Sequence, residues 1–418
     1  MSCCFENTLH YSSPAHGDWG VVRIGMLAPE SVQLFVCPFA CGRHGAIGAM
    51  RQGFKNRLFY LYISQSDIIN GYDDLIPEAV EEVFAALPKR PRVFFIFVSC
   101  LDDLIGTDHE ALLAVLGAKH PDVAFRVCHM NPISLGSLTP PPISIQNNLY
   151  SLLEPAENRD QGVNSLGNLV ALSPESELHD FLEAAGCDGL RHISQYETYD
   201  AYQEMARSRA NLVLAPAGRY AARQMQEKHG LPFLFLPVSY RLEEIEESYR
   251  RLQEFLLPGQ PLTFDFSRQK EEALQWVARV RALVGAAPII VDGSAAVRPF
   301  GLARALTEYG FSVRRIEAQE CAAIDRSDME WLKVKHPEIE VFQPQHHKAV
   351  LFERRLPGSI AIGVDGAYLA GSRYVVDLFN DQGMFGYYAV KKLMELIEEA
   401  AKAPVDLEGL INEYGLVV

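Results

Sequence analysis

Short β-like apolar runs alternate with helical stretches along most of this chain, and that alternation restricts it to parallel sheets with helices on both faces. The runs lie at residues 33–36, 93–98, 124–128, 210–215, 233–237, 288–292, 312–316, 340–342 and 360–362. Helical stretches fall at 75–87, 110–116, 174–185, 220–229, 242–255, 300–309 and 387–401. Val21-Val-Arg-Ile24 also reads as a strand, while residues 131–167, polar and broken by Pro140-Pro-Pro142, read as a boundary, after which a second unit opens on 168–172. A single core rarely grows beyond roughly 250 to 300 residues. The 418 residues are therefore expected to form an α/β protein of three αβα domains with parallel-rich sheets, at 1–150, 151–270 and 271–418.

Two thiols follow such runs. Cys41 lies in Val36-Cys-Pro-Phe-Ala-Cys-Gly-Arg-His-Gly45 and Cys100 in Val98-Ser-Cys-Leu-Asp-Asp-Leu-Ile-Gly106. Each is expected in a glycine-marked loop just past the carboxyl end of a strand, the edge where open α/β sheets bind ligands. Thiolates gathered there suggest a soft metal, above all an iron–sulfur cluster. Gly42, Gly45 and Gly106 would let backbone approach inorganic sulfur closely, and amide donors to sulfur tune such a centre. The plainer alternative makes both cysteines small buried hydrophobes.

Composition narrows the class. The eight cysteines are scattered through an oversized chain, which favours metal binding or free thiols over a disulfide framework. No run approaches the roughly 20 apolar residues of a membrane span, and the start, Met1-Ser-Cys-Cys-Phe-Glu-Asn7, lacks the basic end and apolar stretch of a secretory signal. A net charge of −15 argues against nucleic acid or an anionic membrane as principal partner. A cytoplasmic enzyme subunit is expected.

Several segments, taken in order, resemble the nitrogenase component 1 family, which includes nitrogenase α and β chains, cofactor-assembly scaffolds, and the protochlorophyllide and nickel-sirohydrochlorin reductases. They are Phe39-Ala-Cys-Gly42, Asp67-Ile-Ile-Asn-Gly71, Cys100-Leu-Asp-Asp-Leu-Ile-Gly-Thr-Asp108, Gln226-Glu-Lys-His-Gly-Leu-Pro232, Arg298-Pro-Phe-Gly-Leu-Ala-Arg-Ala-Leu-Thr-Glu-Tyr-Gly310 and Asn380-Asp-Gln-Gly-Met-Phe-Gly-Tyr387. The Cys100 segment, set against Cys-x-x-x-Leu-Ile-Gly-Asp-Asp, is the most specific. The resemblance implies a reductase subunit whose Cys41 and Cys100 hold an iron–sulfur cluster, 4Fe–4S or larger, shared with an identical or paralogous subunit. A separate ATP-dependent iron–sulfur protein would relay electrons through it to a substrate or second cofactor. This chain has no Gly-x-x-x-x-Gly-Lys-Ser/Thr loop, so the ATP chemistry lies elsewhere. The alternative within the family is a non-catalytic scaffold for assembly of a metal cofactor; outside it, a plain ligand carrier on a similar fold.

Departures from the family pattern bear on the site. The cysteine that the family places before a Gly-Val-Val-like run is missing from Ser12-Ser-Pro-Ala-His-Gly17. Cys37 offers a substitute, or its side chain lies back in the strand; Cys3 and Cys4 sit near the chain start. Where nitrogenase α chains hold their large cofactor by a cysteine and a histidine, Val213-Leu-Ala-Pro-Ala-Gly-Arg-Tyr220 presents Ala215 and Ala217, and residues 376–383 contain no histidine. Arg219 is then the expected anchor for an anionic group in a cleft between the second and third domains, unless Gly218-Arg219 is only a helix-capping turn. His346-His347 is a second cleft candidate, though adjacent histidines point apart in extended chain. Asp102, Asp103 and Asp108 resemble a carboxylate cluster, yet a helix start welcomes acidic groups for dipole reasons alone. Cys128, Cys187 and Cys321 lack ligand-like spacing and read as structural.

Overall fold

The computed structural model describes Phe5, Leu9, Tyr11 and Ser13 and residues 20–51, 53–130, 139–351 and 355–414. Cys3, Cys4, Ser12 and residues 14–17 lie outside the described residues. Thirteen strands are described, β1 (Ser31–Cys37), β2 (Leu58–Tyr62), β3 (Val93–Val98), β4 (Ala124–His129), β5 (Gly162–Leu166), β6 (Gly189–Arg191), β7 (Ala210–Val213), β8 (Phe233–Phe235), β9 (Pro288–Asp292), β10 (Ser312–Glu317), β11 (Glu340–Phe342), β12 (Ile360–Ile362) and β13 (Tyr374–Val376). They form three sheets ordered β2-β1-β3-β4, β6-β5-β7-β8 and β11-β10-β9-β12-β13. Every strand pair is parallel. Each expected domain span carries one sheet, but the compact units divide the chain differently. Residues 19–171 and 188–235, with the first two sheets, form one unit; residues 1–18, 172–187 and 236–418, with the third, form the other.

The first sheet shows why the alternation works. β3 is apolar at all six positions and buried at all six, as a central strand covered on both faces must be. Phe94, Ile96 and Val98 pack with Ile76 and Val80 on one side. Val93, Phe95 and Phe97 pack with Phe35 on the other, where the Phe35 and Phe97 rings stack 4.7 Å apart. The crossovers are helices, α2 (Phe39–Arg51) between β1 and β2, α3 (Gln65–Asn70) and α4 (Leu75–Ala86) between β2 and β3, and α5 (Cys100–Ile105) and α6 (His109–Lys119) between β3 and β4, while α1 (Gly20–Met26) precedes β1 and α7 (Pro141–Tyr150) follows β4.

Three local expectations are corrected. The run Val21–Ile24 is not a strand but the middle of α1. Val22, Ile24 and Met26 are buried in the core, the Gln33 side chain donates to the Val22 carbonyl, and Arg57 donates to the carbonyls of Met26 and Ala28. Those tertiary contacts outweigh a β-branched preference worth only tenths of a kcal/mol per residue. The prolines at 140–142 do not interrupt structure but open α7, because the first helical turn has no intrahelical use for the missing N–H. The second sheet starts at β5 rather than at 168–172. Polar Asn164 and Ser165 disguise β5 in the sequence; Asn164 is fully buried and donates to the Met205 carbonyl and the Asn211 side chain. Among the described residues, no helix is long and apolar enough to cross a membrane.

Candidate metal centre at the carboxyl edge of the first sheet

β1 and β3 are neighbours in register, with Val36 opposite Val98, so the chain segments leaving them emerge side by side. Cys41 is the third residue of α2 and Cys100 the first of α5. Both therefore stand in the first helical turn after a strand rather than in open loops. Ser99 caps α5, its hydroxyl accepting from the Leu101 amide at 3.4 Å. Both thiols are half-buried and free of disulfides. Partial burial, and then the Cys100 charge beside it, push the Cys41 thiol above its usual range. The structure thus brings the two predicted residues together.

Cys37 differs. It is the last residue of β1 and 1% exposed, inside the apolar cluster with Phe35 and Phe97. Burial, and then Cys41, push its thiol up to about 12. Of the two readings of this residue, the structure describes a side chain lying back in the strand.

Gly42 and Gly106 each have a local reason for being glycine. A Cβ on Gly42 would lie 2.1 Å from the Tyr60 ring, so its absence lets that ring rest against the first turn of α2. Gly106 closes α5 in the left-handed region at φ 76°, where a side chain would strain the backbone. Neither position needs inorganic sulfur to account for it.

Sequence reasoning missed Tyr60. Its hydroxyl is buried and has no hydrogen-bond partner among the described residues, and burial, followed by the influence of Cys37, Tyr62 and Cys41, pushes it up to about 12. A buried donor without an acceptor is costly. Two half-buried thiols at adjacent strand ends, with an unpartnered hydroxyl near them, fit partial ligation of an iron–sulfur cluster that would present sulfur to that hydroxyl. The only available hint was an aromatic residue in a strand that the apolar pattern passes over.

The same edge is apolar where it meets solvent. Phe39, Tyr62, Ile69 and Leu104 are each more than half exposed, and the Phe39 and Tyr62 rings meet edge to face with centroids 6.5 Å apart. Ser64 and Asp67 bond reciprocally to start α3 at this edge. Large apolar side chains gathered at one edge mark interaction surfaces more often than bare solvent-facing protein.

The acidic residues after Cys100 separate into two kinds. Asp108 caps α6 through the Ala111 amide at 3.0 Å. Asp102 is 1% exposed; it accepts from the Tyr72 hydroxyl at 2.6 Å and lies 2.6 Å from His109 Nε2. Burial works to raise the Asp102 carboxyl, but His109 and Tyr72 hold it below its usual range. Asp103 reaches His129 Nδ1 at 2.8 Å. Tyr72, His109 and His129 carry no local spacing that could have announced them.

Elsewhere, Arg219 opens the helix Arg219–His229 at the end of the β7 segment, with its guanidinium 4.8 Å from the centroid of the Phe235 ring. Ala215 is buried there. The His346 and His347 rings stack 4.3 Å apart instead of pointing apart, because the chain turns into a short helix at His347 rather than running extended. Cys128 and Cys187 are buried and Cys321 half-buried, and none of the three is in a disulfide.

The chain belongs to the nitrogenase component 1 type oxidoreductase family, whose model matches residues 18–399. Members of that family typically bind metal clusters and work as subunits with partner subunits and a reductase. Among curated proteins, the chain is similar to the nitrogenase iron-molybdenum cofactor biosynthesis protein NifE of Clostridium pasteurianum. The two are 22% identical over 228 residues, which cover 52% of this chain and 48% of that protein. The chain thus spans about half the length of the curated relative it matches. Among solved structures, one titled nitrogenase Cp1 at pH 6.5 matches with a TM-score of 0.72 at 14% identity, over 95% of this chain and 94% of that one. Nitrogenase Cp1 at pH 5 matches with a TM-score of 0.61 at 15% identity, over 93% and 88%. These two likenesses concern the fold alone.

Proposed function

We propose that this chain is a scaffold subunit that holds a metal cofactor during its assembly and passes it on, and that it carries an iron–sulfur cluster of its own at Cys41 and Cys100, shared with a second component 1-type subunit. The observation that carries the cluster is the pair of half-buried thiols at adjacent strand ends. The scaffold role is supported by the kinship with a cofactor biosynthesis protein. It is supported also by the chemistry at 213–220 and 376–383, which offers neither a cysteine nor a histidine. A cargo that must leave is better held by hydrogen bonds and charge than by a thiolate, and Arg219 is the group for that.

When bound, a cluster at the first edge supplies a one-electron redox centre. The residues of the chain prepare its place. Cys41 and Cys100 must lose their protons to ligate, so binding releases protons. Tyr60 offers a hydroxyl donor, and Phe39, Tyr62, Ile69 and Leu104 provide the apolar surface on which a second subunit, identical or paralogous, excludes water.

The reductase reading, with an ATP-dependent iron–sulfur protein delivering electrons, is favoured by the oxidoreductase kinship of the whole family. One transfer experiment separates the two. Protein purified anaerobically with its partner and loaded with a molybdenum- or iron-containing cofactor is mixed with a cofactor-free nitrogenase component 1. A scaffold gives up the metal and activates the acceptor, and Arg219→Ala holds less cargo with an unchanged signal from the cysteine-ligated cluster. Retention of the metal together with substrate-dependent oxidation of a supplied reductase supports the other reading and ends this one.

A further inference from the structure

We propose that the buried carboxyl groups of Asp292, Glu317 and Asp365 form a proton-sharing latch that holds Tyr11 and Ser13 on the carboxyl edge of the third sheet and opens as pH rises. Asp292 and Glu317 end β9 and β10 and stand opposite each other in register. With Asp365 they are 3%, 1% and 7% exposed. The helix Val364–Ala370 brings Asp365 to them, because the Gly366 amide donates to Asp292 Oδ2 at 2.9 Å. A Cβ on Gly366 would lie 3.3 Å from both Asp292 Cβ and Glu317 Oε2, so helix and strand ends meet closely here.

Two residues near the start of the chain are held at this place. The buried Ser13 hydroxyl donates to Asp365 Oδ1, and the Tyr11 amide donates to the Gln345 carbonyl at 2.8 Å. Burial, and then hydrogen bonding with Tyr368 and the charge of Asp365, push the Tyr11 hydroxyl above its usual range. Tyr368 belongs to the same helix as Asp365.

The hydrogen-bond accounting calls for a proton. Arg315 Nη1 donates to Glu317 Oε1 at 3.3 Å, but Glu317 Oε2 is buried with no hydrogen-bond partner among the described residues. An ionised carboxylate only accepts, whereas a protonated one also donates. A proton on Oε2 lets Glu317 bond to a neighbouring carboxylate and spares like charges from facing each other. Burial, and then Asp292, push the Glu317 carboxyl up; burial, and then Asp365, push Asp292 up to about 6. The other groups facing the three are Arg315, Glu340 beyond it, and the hydroxyls of Tyr11 and Tyr368. β12 has no titratable residue, and Arg304 and Glu308 of the helix Pro299–Glu308 are engaged with each other, Asp328 and Arg241. Carboxyl values raised in the folded state mean a contribution present at low pH and lost as pH rises through them. The added negative charge drives the helix that carries Asp365 and Tyr368 off the strand ends, and Ser13 and Tyr11 lose their partners. The latch depends neither on a cluster at the cysteines nor on a cargo.

The Tyr11 amide is the reporter. Hydrogen exchange of the full-length protein, resolved to single residues and corrected for the intrinsic rate, is followed at pH 5.5 and 8.5. Protection of Tyr11 should fall at least about tenfold at the higher pH, while the amides of β3 stay protected. In Glu317→Gln, whose side chain stays neutral and offers a donor where Oε2 stands, protection should be the same at both pH values. In Ser13→Ala it should be low at both. Protection in the parent that does not change with pH, or an equal fall in Glu317→Gln, overturns the proposal. Should Glu317→Gln fail to fold, infrared difference spectra of the parent decide: a neutral carboxylic acid band must disappear over the pH range in which Tyr11 loses protection, and its absence overturns the proposal.

Discussion

The carboxyl edges of the first and third sheets are built from the same kind of strand end and do opposite things. At the first, Cys41 and Cys100 are outside any disulfide, the Tyr60 hydroxyl has no hydrogen-bond partner among the described residues, and apolar side chains face solvent. At the third, polar groups tie loops to one another. Asp292 accepts from the Ser294 and Gly366 amides, Asp325 from those of Phe300 and Gly301, and Asp381 from the Tyr240 hydroxyl and the Val297 amide. Buried Arg315 pairs with Glu317 and Glu340, and Arg298 joins Glu244 to Asp328. Burial, and then Asp365, push the Asp292 carboxyl up to about 6. A strand-end position therefore does not by itself define a binding site; what matters is whether the groups gathered there already satisfy each other.

Under this contrast, substitutions at the third edge cost stability and those at the first cost ligands or partners. The largest stability effect is expected for Arg315→Met, which leaves the buried Glu317 carboxyl, pushed up by burial and then by Asp292, without its partner Arg315. The loss should be about 3–5 kcal/mol in denaturant unfolding. A loss below about 1 kcal/mol would mean that this knot is not structural.

Next comes acid sensitivity. Burial works to raise Glu244, but Arg298, Ser239 and Arg241 hold its carboxyl down to about 2. A depressed folded-state value means a contribution fully present above the ordinary value near 4.5 and lost as pH falls from there towards 2. That contribution is at most about 3 kcal/mol. Urea titrations at pH 7, 4.5 and 3 should show a shallower acid loss in Glu244→Gln; parallel curves for both proteins would contradict the assignment.

At the first edge, Gly42→Ala drives a methyl into the Tyr60 ring and should cost about 1–3 kcal/mol. Adding Tyr60→Leu should recover part of that loss, and failure to recover any would remove Tyr60 as the cause. Smallest in stability, Leu104→Ser and Phe39→Ser should stay within about 0.5 kcal/mol of the parent while weakening association in analytical ultracentrifugation. An unchanged association state in both variants would say that the apolar rim is not a subunit contact.

Much of this arrangement was legible because it is written in local periodicity. The apolar run at β3 and the cysteine just beyond it announce a buried strand and a thiol at its end. The illegible parts depend on distant contacts. Val21–Ile24 has a strand's composition, but Gln33 and Arg57 satisfy the carbonyls of a helix there. β5 hides behind Asn164, whose polarity is tolerated only because Met205 and Asn211 accept from it. Tyr60, Tyr72, His109 and His129 reach the first edge through strand order and helix placement, which spacing along the chain does not encode. The glycine pattern misled in detail: Gly42 answers to a ring and Gly106 to a turn.

The central claim is that Cys41 and Cys100 together hold an iron–sulfur cluster while the third edge holds none of it. Iron and acid-labile sulfide, measured per chain on protein prepared anaerobically with its partner subunit, test this most directly. The account predicts stoichiometric iron and sulfide in the parent and in Arg298→Met, and loss of both in Cys41→Ala and in Cys100→Ala. Equal iron and sulfide in the parent and both cysteine variants would contradict it.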